Sequence, residues 1–286
     1  MTTPNLVREY GTGLLRTTIV REHDGYRWTR RPGPLAPVPF ASETRGISLR
    51  EVPALDGARL VLGEGGAHER NYRADGHESV AGSILRGGPD RELAEQLRGV
   101  GRLLRAIHEH PCPEESAPAR GVSRLNDWLS GRASSPVAAH AAPLLEQILG
   151  DRLALVRDWC LKLHTDSLVC SHGAAGLGSV IRGTDATATF LLTGEDVCAA
   201  PWYLDMGWIV GELVEFRWHL TEQDPTSWEL LLDALFDGYG RDLGRDWSVL
   251  AALRMLLHVH DFTAYVDWSV DTAVRRLHYI KFLIDL

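Results

Sequence analysis

The sequence predicts an α+β protein with a smaller strand-rich lobe and a larger, mainly helical lobe. Apolar and polar residues alternate loosely over 14–28, as they do in paired strands. Glycines at 63–66 then interrupt the pattern after the apolar run 60–62, and helical spacing dominates most of the remaining chain. A chain of 286 residues with 44% hydrophobic content can bury a sizeable core. We therefore expect a small β-rich lobe over 1–66 and a larger helical lobe over 67–286.

The smaller lobe carries two clear turn and connection signals. Asp24 and Gly25 lie between the alternating segments, which favours a tight hairpin there. Prolines recur over 32–39, and proline is disfavoured inside helices and central strands. We expect a rigid connection over that stretch.

The larger lobe is predicted to consist of helices interrupted by short strands. Helical spacing is found over 92–108, 122–129, 143–164, 206–220, 227–243 and 248–286, the last as two or more helices. Short strands are expected over 168–170, 180–181 and 189–192. The stretch 111–120 is rich in Pro, Glu and Ala and is typical of a surface loop.

Composition excludes several classes of partner. The formal net charge of −8 argues against nucleic acid as the main partner, because duplex binding depends on clustered Lys and Arg. No run approaches the ~20 apolar residues of a membrane span, and the amino terminus lacks the pattern of a signal peptide, so we expect a cytoplasmic protein. The four cysteines have no Cys-x-x-Cys spacing, which favours reduced thiols over a zinc site. Nothing in the sequence fixes an oligomeric state.

Three segments share the motifs of one enzyme family. Residues 168–181 include Ser-His-Gly-Ala-Ala-Gly-Leu-Gly-Ser, which resembles the catalytic strand and loop ending His-Gly-Asp-x-x-x-x-Asn. Residues 190–198 resemble the metal-binding strand of the same family, and residues 201–207 resemble its helix start, Pro-x-x-x-Asp-Leu-Ala. The family is that of the aminoglycoside phosphotransferases, which have a two-lobed protein-kinase-like fold. The resemblance covers nearly the whole chain and is strongest in these central segments.

The resemblance also implies that the residues responsible for the chemistry are replaced. The catalytic Asp falls on Ala174, the metal-binding Asn on Ser179, the metal-binding Asp on Thr193, and the phosphate-clamping Lys near Arg30. Ala174 can accept no proton, whereas a positioned general base contributes roughly 10²–10⁴-fold to rate. Magnesium prefers carboxylates and phosphate oxygens, and the two hydroxyls are neutral. We therefore expect no catalytic residue, no metal and no required cofactor, and any ATP that binds should do so without a productive metal. We also expect Ala174 and Thr193 to face each other across the interlobe cleft.

Other positions are expected to support the site. His172 matches a loop histidine that braces the loop, and Asp205 matches a helix-start aspartate that supports the loop and can cap free backbone N–H groups. Glu195 and Asp196 follow the strand, so a shifted loop would bring one of them to a metal. Trp202 is a candidate contact in the cleft, and Trp208 also matches a position close to the substrate-facing side in the family.

Two features of the smaller lobe are expected from the resemblance. Glu43 is the nearest match to the helix glutamate that pairs with the phosphate clamp. Residues 11–18 lie where a phosphate-covering hairpin belongs, although two glycines before a Thr-rich strand are also typical of a plain β-turn.

Three functions are compatible with these motifs. The first is a pseudokinase that holds a peptide, a small molecule or a partner enzyme in the interlobe cleft. Kinase-fold proteins that resemble this family also act with a separate lyase on ribosomally made peptides of actinobacteria, such as lanthipeptides and thioamitides, and a degenerate member would serve there as a scaffold. The second function is a divergent phosphotransferase acting on a small-molecule or peptide Ser/Thr hydroxyl. The third is a non-catalytic antibiotic-binding resistance protein.

Overall fold

A computed structural model describes residues 5–42, 48–112, 117–133, 135–185 and 187–286. The strands are β1 (Asn5–Gly11), β2 (Leu15–Glu22), β3 (Gly25–Pro32), β4 (Ala58–Leu62), β5 (Arg70–Ala74), β6 (Glu78–Ser79), β7 (Leu168–Ser171), β8 (Val180–Arg182), β9 (Thr189–Thr193) and β10 (Cys198–Pro201). The helices are α1 (Val80–Gly87), α2 (Arg91–Glu109), α3 (Arg120–Leu129), α4 (Pro136–Leu149), α5 (Arg152–Thr165), α6 (Tyr203–His219), α7 (Pro225–Tyr239), α8 (Trp247–Tyr265) and α9 (Val270–Ile284).

The amino-terminal sheet is antiparallel, with the order β1-β2-β3-β5. The predicted hairpin at Asp24 and Gly25 is present, and Gly25 has φ +134°, a region that L side chains rarely adopt. The inner face of the sheet buries Ile19, Trp28 and Tyr72 in a small apolar cluster. These side chains fix one wall of the space between the lobes.

The amino-terminal sheet extends beyond the expected lobe boundary at residue 66. Strand β5 lies beyond it and pairs with β3, while residues 63–66 belong to the turn between β4 and β5, where Glu64 bridges Asn71. Arg70 is fully buried and fixes this turn by donating to the carbonyls of Gly65 and Gly66. The sheet is therefore complete only at residue 74.

A second sheet connects the two lobes. Its order is β4-β9-β8-β6, and β4 runs parallel to β9. Hydrogen bonding between β4 and a strand about 130 residues later leaves no local signal in the sequence. This pairing holds the end of β9 against the amino-terminal lobe, where Gly63 N–H donates to the carbonyl of Thr193 (2.9 Å).

The larger lobe is helical, as predicted, around one continuous apolar core. The predicted helix over 143–164 is two helices, because Gly150, with φ +52°, ends α4. Neither α1 nor β10 was predicted from the sequence. In the described part of the chain, no helix is both long and apolar enough to cross a membrane.

Candidate functional site

A cleft of about 670 Å³ lies between the β1–β2 hairpin and the loop that follows β7, with α3 and α8 on its far side. Five of the residues singled out in the sequence line it: Arg30, Ala174, Ser179, Glu195 and Asp196. The structure therefore brings together residues from three distant parts of the chain. Thr193 and Trp202 are not among the residues that surround this cleft.

The loop after β7 is held by buried groups beneath it. The Asp205 carboxylate accepts the backbone N–H of His172 (2.7 Å) and of Gly173 (2.9 Å), and lies 3.1 Å from His108 Nε2. Burial alone would raise the pKa of Asp205, but the hydrogen bond and charge of His108 outweigh it and lower the pKa. The imidazole of His172 donates to the carbonyl of Leu192 (2.9 Å). Asp205 and His172 thus brace the loop without reaching the cleft.

This arrangement corrects one detail of the expectation for Asp205. Trp202, not Asp205, is the N-cap residue of α6, and Asp205 lies inside the first turn. Its carboxylate caps backbone N–H groups of the neighbouring loop instead of its own helix, because β7 ends directly beside α6. A sequence motif shows that an acid stands at a helix start, but not which N–H groups it meets.

Gly173 sets the position of the loop. It has φ +83°, and a Cβ atom at this position would lie 2.0 Å from the carbonyl oxygen of Asp196. Only glycine permits both the backbone conformation and this close approach. The loop that carries Ala174 is thereby pressed against the segment that follows β9.

The two positions that the motif resemblance matches to the catalytic Asp and the metal-binding Asp have different surroundings. Ala174 lies on the cleft wall and presents only a methyl group. Thr193 is 1% exposed, and its hydroxyl donates to the carbonyl of Leu191 in its own strand (3.2 Å). The expectation that the two would face each other across the cleft is wrong for Thr193. Its strand is covered by neighbours on both sides, β4 and β8, and all five of its residues are buried.

The guanidinium of Arg30 lies in the wall of the cleft and is almost fully buried. Its Nη1 lies 3.1 Å from the hydroxyl of Ser179 and 3.3 Å from Oε1 of Glu195, and its Nη2 donates to the carbonyl of Gly178 (2.8 Å). The hydroxyl of Tyr72 donates to the same Glu195 oxygen (2.7 Å). One cation thus links the amino-terminal sheet, the loop after β7 and the segment after β9.

This ion pair is shielded from water. The side chains of Arg30 and Glu195 are 6% and 10% exposed. Burial would lower the pKa of Arg30, but the Glu195 carboxylate more than offsets it, and the pKa is raised. Burial and the same carboxylate raise the pKa of Tyr72 well above its ordinary value. Arg30 therefore remains charged, and Tyr72 remains a neutral donor.

Asp196, the second acid after β9, is also engaged by an arginine. Arg120 Nη1 lies 2.9 Å from Asp196 Oδ1 and donates to the carbonyl of Glu195 (3.2 Å). Its other terminal nitrogen donates to the carbonyl of Val38 (2.8 Å). Both acids that a shifted loop would bring to a metal are thus held by guanidinium groups.

The far wall carries two further ion pairs that sequence reasoning missed. Arg254 pairs with Glu212 (2.5 Å), which also accepts the N–H of Leu177 (2.6 Å). Arg124 forms a two-pronged pair with Asp261 (3.2 and 2.8 Å). Burial would raise the pKa of Asp261, but Arg124 and His260 lower it to about 2. Such pairs join α6, α8 and α3 and have no signature in local sequence.

Comparison with solved structures identifies the architecture. The amicoumacin kinase hAmiN, solved with AMP-PNP and Ca²⁺, is 11% identical, with 98% of this chain and 88% of that chain covered and a TM-score of 0.60. A spectinomycin phosphotransferase in complex with ADP and spectinomycin is 10% identical (100% and 92% covered, TM-score 0.57). The ethanolamine kinase of Plasmodium vivax is 11% identical (100% and 83% covered, TM-score 0.57).

The chain has the kinase-like fold of aminoglycoside phosphotransferases. The predicted α+β fold of this class is thereby confirmed. No family model and no curated protein matches the sequence. At identities of 10–11%, the likeness shows the fold alone.

Within this kinase-like fold, two of the predicted site residues fall elsewhere or cannot be placed. Trp202 stacks on Tyr239 (centroids 5.2 Å apart, planes at 17°) under the guanidinium of Arg241, and lines a separate hollow of about 490 Å³. Trp202 is thus not among the residues that line the cleft, whereas Trp208, six residues further along the chain, does line it. Glu43 lies outside the described residues.

Metal-binding chemistry is poorly supported by the donor set of the kinase-like cleft. Among the described residues, no group of three or more His, Cys, Asp or Glu side chains is arranged to hold a metal ion. The carboxylates of Glu195 and Asp196 are already neutralised by Arg30 and Arg120. A metal would have to displace a guanidinium to reach either acid.

Proposed function

We propose that this protein is a pseudokinase: a kinase-fold protein that binds a ligand or partner in its cleft without transferring a phosphoryl group. The observation that carries the proposal is the contact of one guanidinium, that of Arg30, with both Ser179 and Glu195. The motif resemblance assigns Ser179 to a metal ligand and places Glu195 directly after the metal-binding strand. We infer that a fixed protein cation takes the place at which phosphoryl transfer would need an exchangeable magnesium ion.

Electrostatics make this arrangement hostile to magnesium. Two unit charges about 4 Å apart interact by about 4 kcal/mol at the effective dielectric of a protein surface, so a divalent ion beside the guanidinium meets a repulsion of about 8 kcal/mol. Compensation would have to come from carboxylates, and Glu195 and Asp196 are already paired. With Ala174 unable to act as a base, we infer that the site provides neither a metal nor a proton acceptor for phosphoryl transfer.

The same charges indicate the class of ligand. Of the charged residues that line the cleft, Arg30, Arg124 and Arg254 are each paired with a carboxylate of the cleft itself. A triphosphate or other strongly charged ligand would compete with these pairs, whereas a neutral molecule or a peptide segment leaves them intact. We propose a peptide as the ligand, in keeping with the motif resemblance to kinase-fold proteins of lanthipeptide and thioamitide biosynthesis.

A divergent phosphotransferase is the second candidate. It is favoured by structural neighbours solved with ADP or with AMP-PNP. Under this hypothesis Asp196 or Glu195 would leave its arginine and hold the metal when substrate binds. Antibiotic binding without modification is the third candidate, favoured by the neighbour solved with spectinomycin and by a cleft volume of about 670 Å³.

Calorimetry and a turnover assay separate these functions. Titration of the protein with ATP should give the same affinity with and without magnesium, and a coupled ATPase assay should show no turnover above buffer. The matched variant restores the motif at the positions that line the cleft, through Arg30→Lys, Ala174→Asp and Ser179→Asn. The pseudokinase proposal is supported if the variant binds ATP in a magnesium-dependent way and the unmodified protein does not. Magnesium-dependent binding and turnover by the unmodified protein would establish the divergent phosphotransferase instead.

A further inference from the structure

The outer strand of the amino-terminal sheet is unusually open. Strand β1 is at the edge of its sheet, and within the described residues it pairs only with β2. All seven of its residues are exposed, including Leu6 (57%), Val7 (40%) and Tyr10 (45%). Edge strands in soluble proteins are ordinarily protected by proline, by charged side chains such as lysine, by β-bulges or by a covering segment. β1 contains no proline or lysine, and its two charged residues, Arg8 and Glu9, both line the cleft.

The exposed strand leads into the cleft. Arg8, Glu9 and Tyr10 all line the cleft. The register places Tyr10 opposite Thr17 and Thr17 opposite Arg30, and residues opposite one another share a face of the sheet. Tyr10 thus continues, at the open edge, the row of side chains that ends in the central ion pair.

A regular segment of the edge is available for pairing. The register between β1 and β2 shifts between Leu6 and Arg8, so the irregularity is confined to the first part of the strand. The segment Arg8–Gly11 keeps an unbroken register with β2. The turn after it is fixed in place, because Gly13 N–H donates to the carbonyl of Tyr265 at the end of α8 (2.7 Å). The edge is therefore held in position before any ligand arrives.

We propose that an extended peptide segment adds to β1 as a fifth strand and is thereby guided into the cleft. Backbone N–H and C=O groups at a free sheet edge are satisfied by another strand, which is the basis of peptide recognition by strand addition. This inference rests on the proposed function for the peptide nature of the ligand, and it is independent of whether phosphoryl transfer occurs.

A second copy of the chain fits this edge poorly. When two copies of a strand pair antiparallel about a two-fold axis, the residue on the axis lies opposite the same residue of the other copy. A pairing centred on Arg8 or Glu9 therefore places two like charges opposite each other, which is destabilising. A stable dimer also buries about 1,200–2,000 Å². Two four-residue segments, each about 13 Å long, offer far less.

The side chains of the edge specify the peptide. Arg8 and Glu9 form no ion pair with any other described residue, so each is available to a charged neighbour on an added strand. Cross-strand neighbours favour opposite charges and favour β-branched residues beside aromatic ones. The matching antiparallel segment therefore has Val opposite Tyr10, Lys opposite Glu9 and Glu opposite Arg8, which gives the core Thr-Val-Lys-Glu.

The test uses a fluorescein-labelled synthetic peptide containing Thr-Val-Lys-Glu and a second peptide with Lys in place of its Glu. The expected result is slower amide exchange in residues 5–11 of the full chain with the first peptide and about fivefold weaker binding of the second, by fluorescence anisotropy. Arg8→Glu should reverse this preference, while the control Arg275→Glu, at an exposed site on α9, should leave it unchanged.

Peptide binding without protection of residues 5–11, or no binding at millimolar peptide, overturns the docking proposal. So does an Arg8→Glu variant that keeps the original preference. None of these results bears on ATP turnover, so failure of the docking site and failure of the pseudokinase proposal are distinguishable.

Discussion

Breaking the central ion pair from one side should destabilise the protein strongly. Glu195→Gln keeps an oxygen for the Tyr72 hydroxyl but leaves the Arg30 charge in a site where its side chain is 6% exposed. Removing one partner of a buried pair costs about 3–5 kcal/mol. For 286 residues, an unfolding entropy of about 2.1 cal/mol/K per residue turns this into a fall in Tm of about 5–8 °C. Arg30→Met should have a similar effect, because it leaves the Glu195 carboxylate without its cation.

The double variant separates a true pair from two independent losses. Arg30→Met with Glu195→Gln removes both charges together, so its Tm should lie well above the value expected from adding the two single effects, with a coupling of at least about 2 kcal/mol. Arg152→Met is the control, since Arg152 and Asp285 form a surface pair with side chains 35% and 45% exposed. Such pairs contribute about 0–1 kcal/mol. The Tm of each of the four variants and of the parent is measured by calorimetry at neutral pH.

The reasoning fails if Glu195→Gln lowers Tm no more than the surface control does. That result would mean that water or a mobile loop already compensates the Arg30 charge, and the guanidinium would then be free to leave for a metal. Additive single effects would likewise refute the pairing on which the pseudokinase proposal depends.

Three further predictions test the support of the cleft. Asp205→Asn should lower Tm by as much as Glu195→Gln, because the backbone N–H groups of His172 and Gly173 lose a buried charged acceptor. Hydrogen bonds to charged groups contribute about 1.5–3 kcal/mol each. A loss of stability of only ~1 kcal/mol, typical of an ordinary helix cap, would contradict this prediction. Asp261 has a pKa of about 2 in the folded protein against 3.8 ordinarily, so the stability it contributes is present above pH ~4 and disappears as pH falls toward 2. Asp261→Asn should therefore be less stable than the parent in urea unfolding at pH 6, with a gap that narrows at pH 3; a constant gap would exclude the carboxylate as its cause. Gly173→Ala should lower Tm and disturb the loop, since the new methyl group would lie 2.0 Å from the Asp196 carbonyl oxygen. Gly131→Ala is the control for left-handed backbone strain alone, because a Cβ atom there meets no atom within 4 Å. Equal falls in Tm for the two variants would show that the close approach at Gly173 is unimportant.

Elements with strong local periodicity could be predicted from the sequence. Helix α2 was expected over 92–108 and is found over Arg91–Glu109, and the three short strands of the central segment lie within one or two residues of their predicted bounds. Amphipathic spacing and buried apolar runs are properties of neighbouring residues, so they survive in a single sequence. The division at Gly150 was missed because the apolar spacing continues across it from α4 into α5.

The pairing of distant residues could not be predicted. Arg30 was placed near the phosphate clamp by its strand motif, but its contact with Glu195 spans 165 positions and depends on how two sheets meet. Thr193 was expected to face the cleft, yet the parallel pairing of β4 with β9 buries it. Trp202 is close to the site in sequence but stacks on Tyr239, which comes from α7. In each case the outcome was decided by a tertiary neighbour that sequence spacing does not reveal.

Under the pseudokinase proposal, the architecture explains how a kinase-fold cleft can persist without the catalytic residues of the family. The groups that hold the loop, Asp205, His108 and His172, are buried and bond to backbone atoms or to each other, so none of them depends on the side chain at position 174. The Glu195 carboxylate, which lies beside the cleft, would be an uncompensated buried charge if no cation were paired with it. Arg30 supplies that cation permanently, so the cleft is electrostatically complete without a bound ion. An assembled, neutral cleft with an open strand leading into it is suited to holding an extended peptide in place, which is the role we propose.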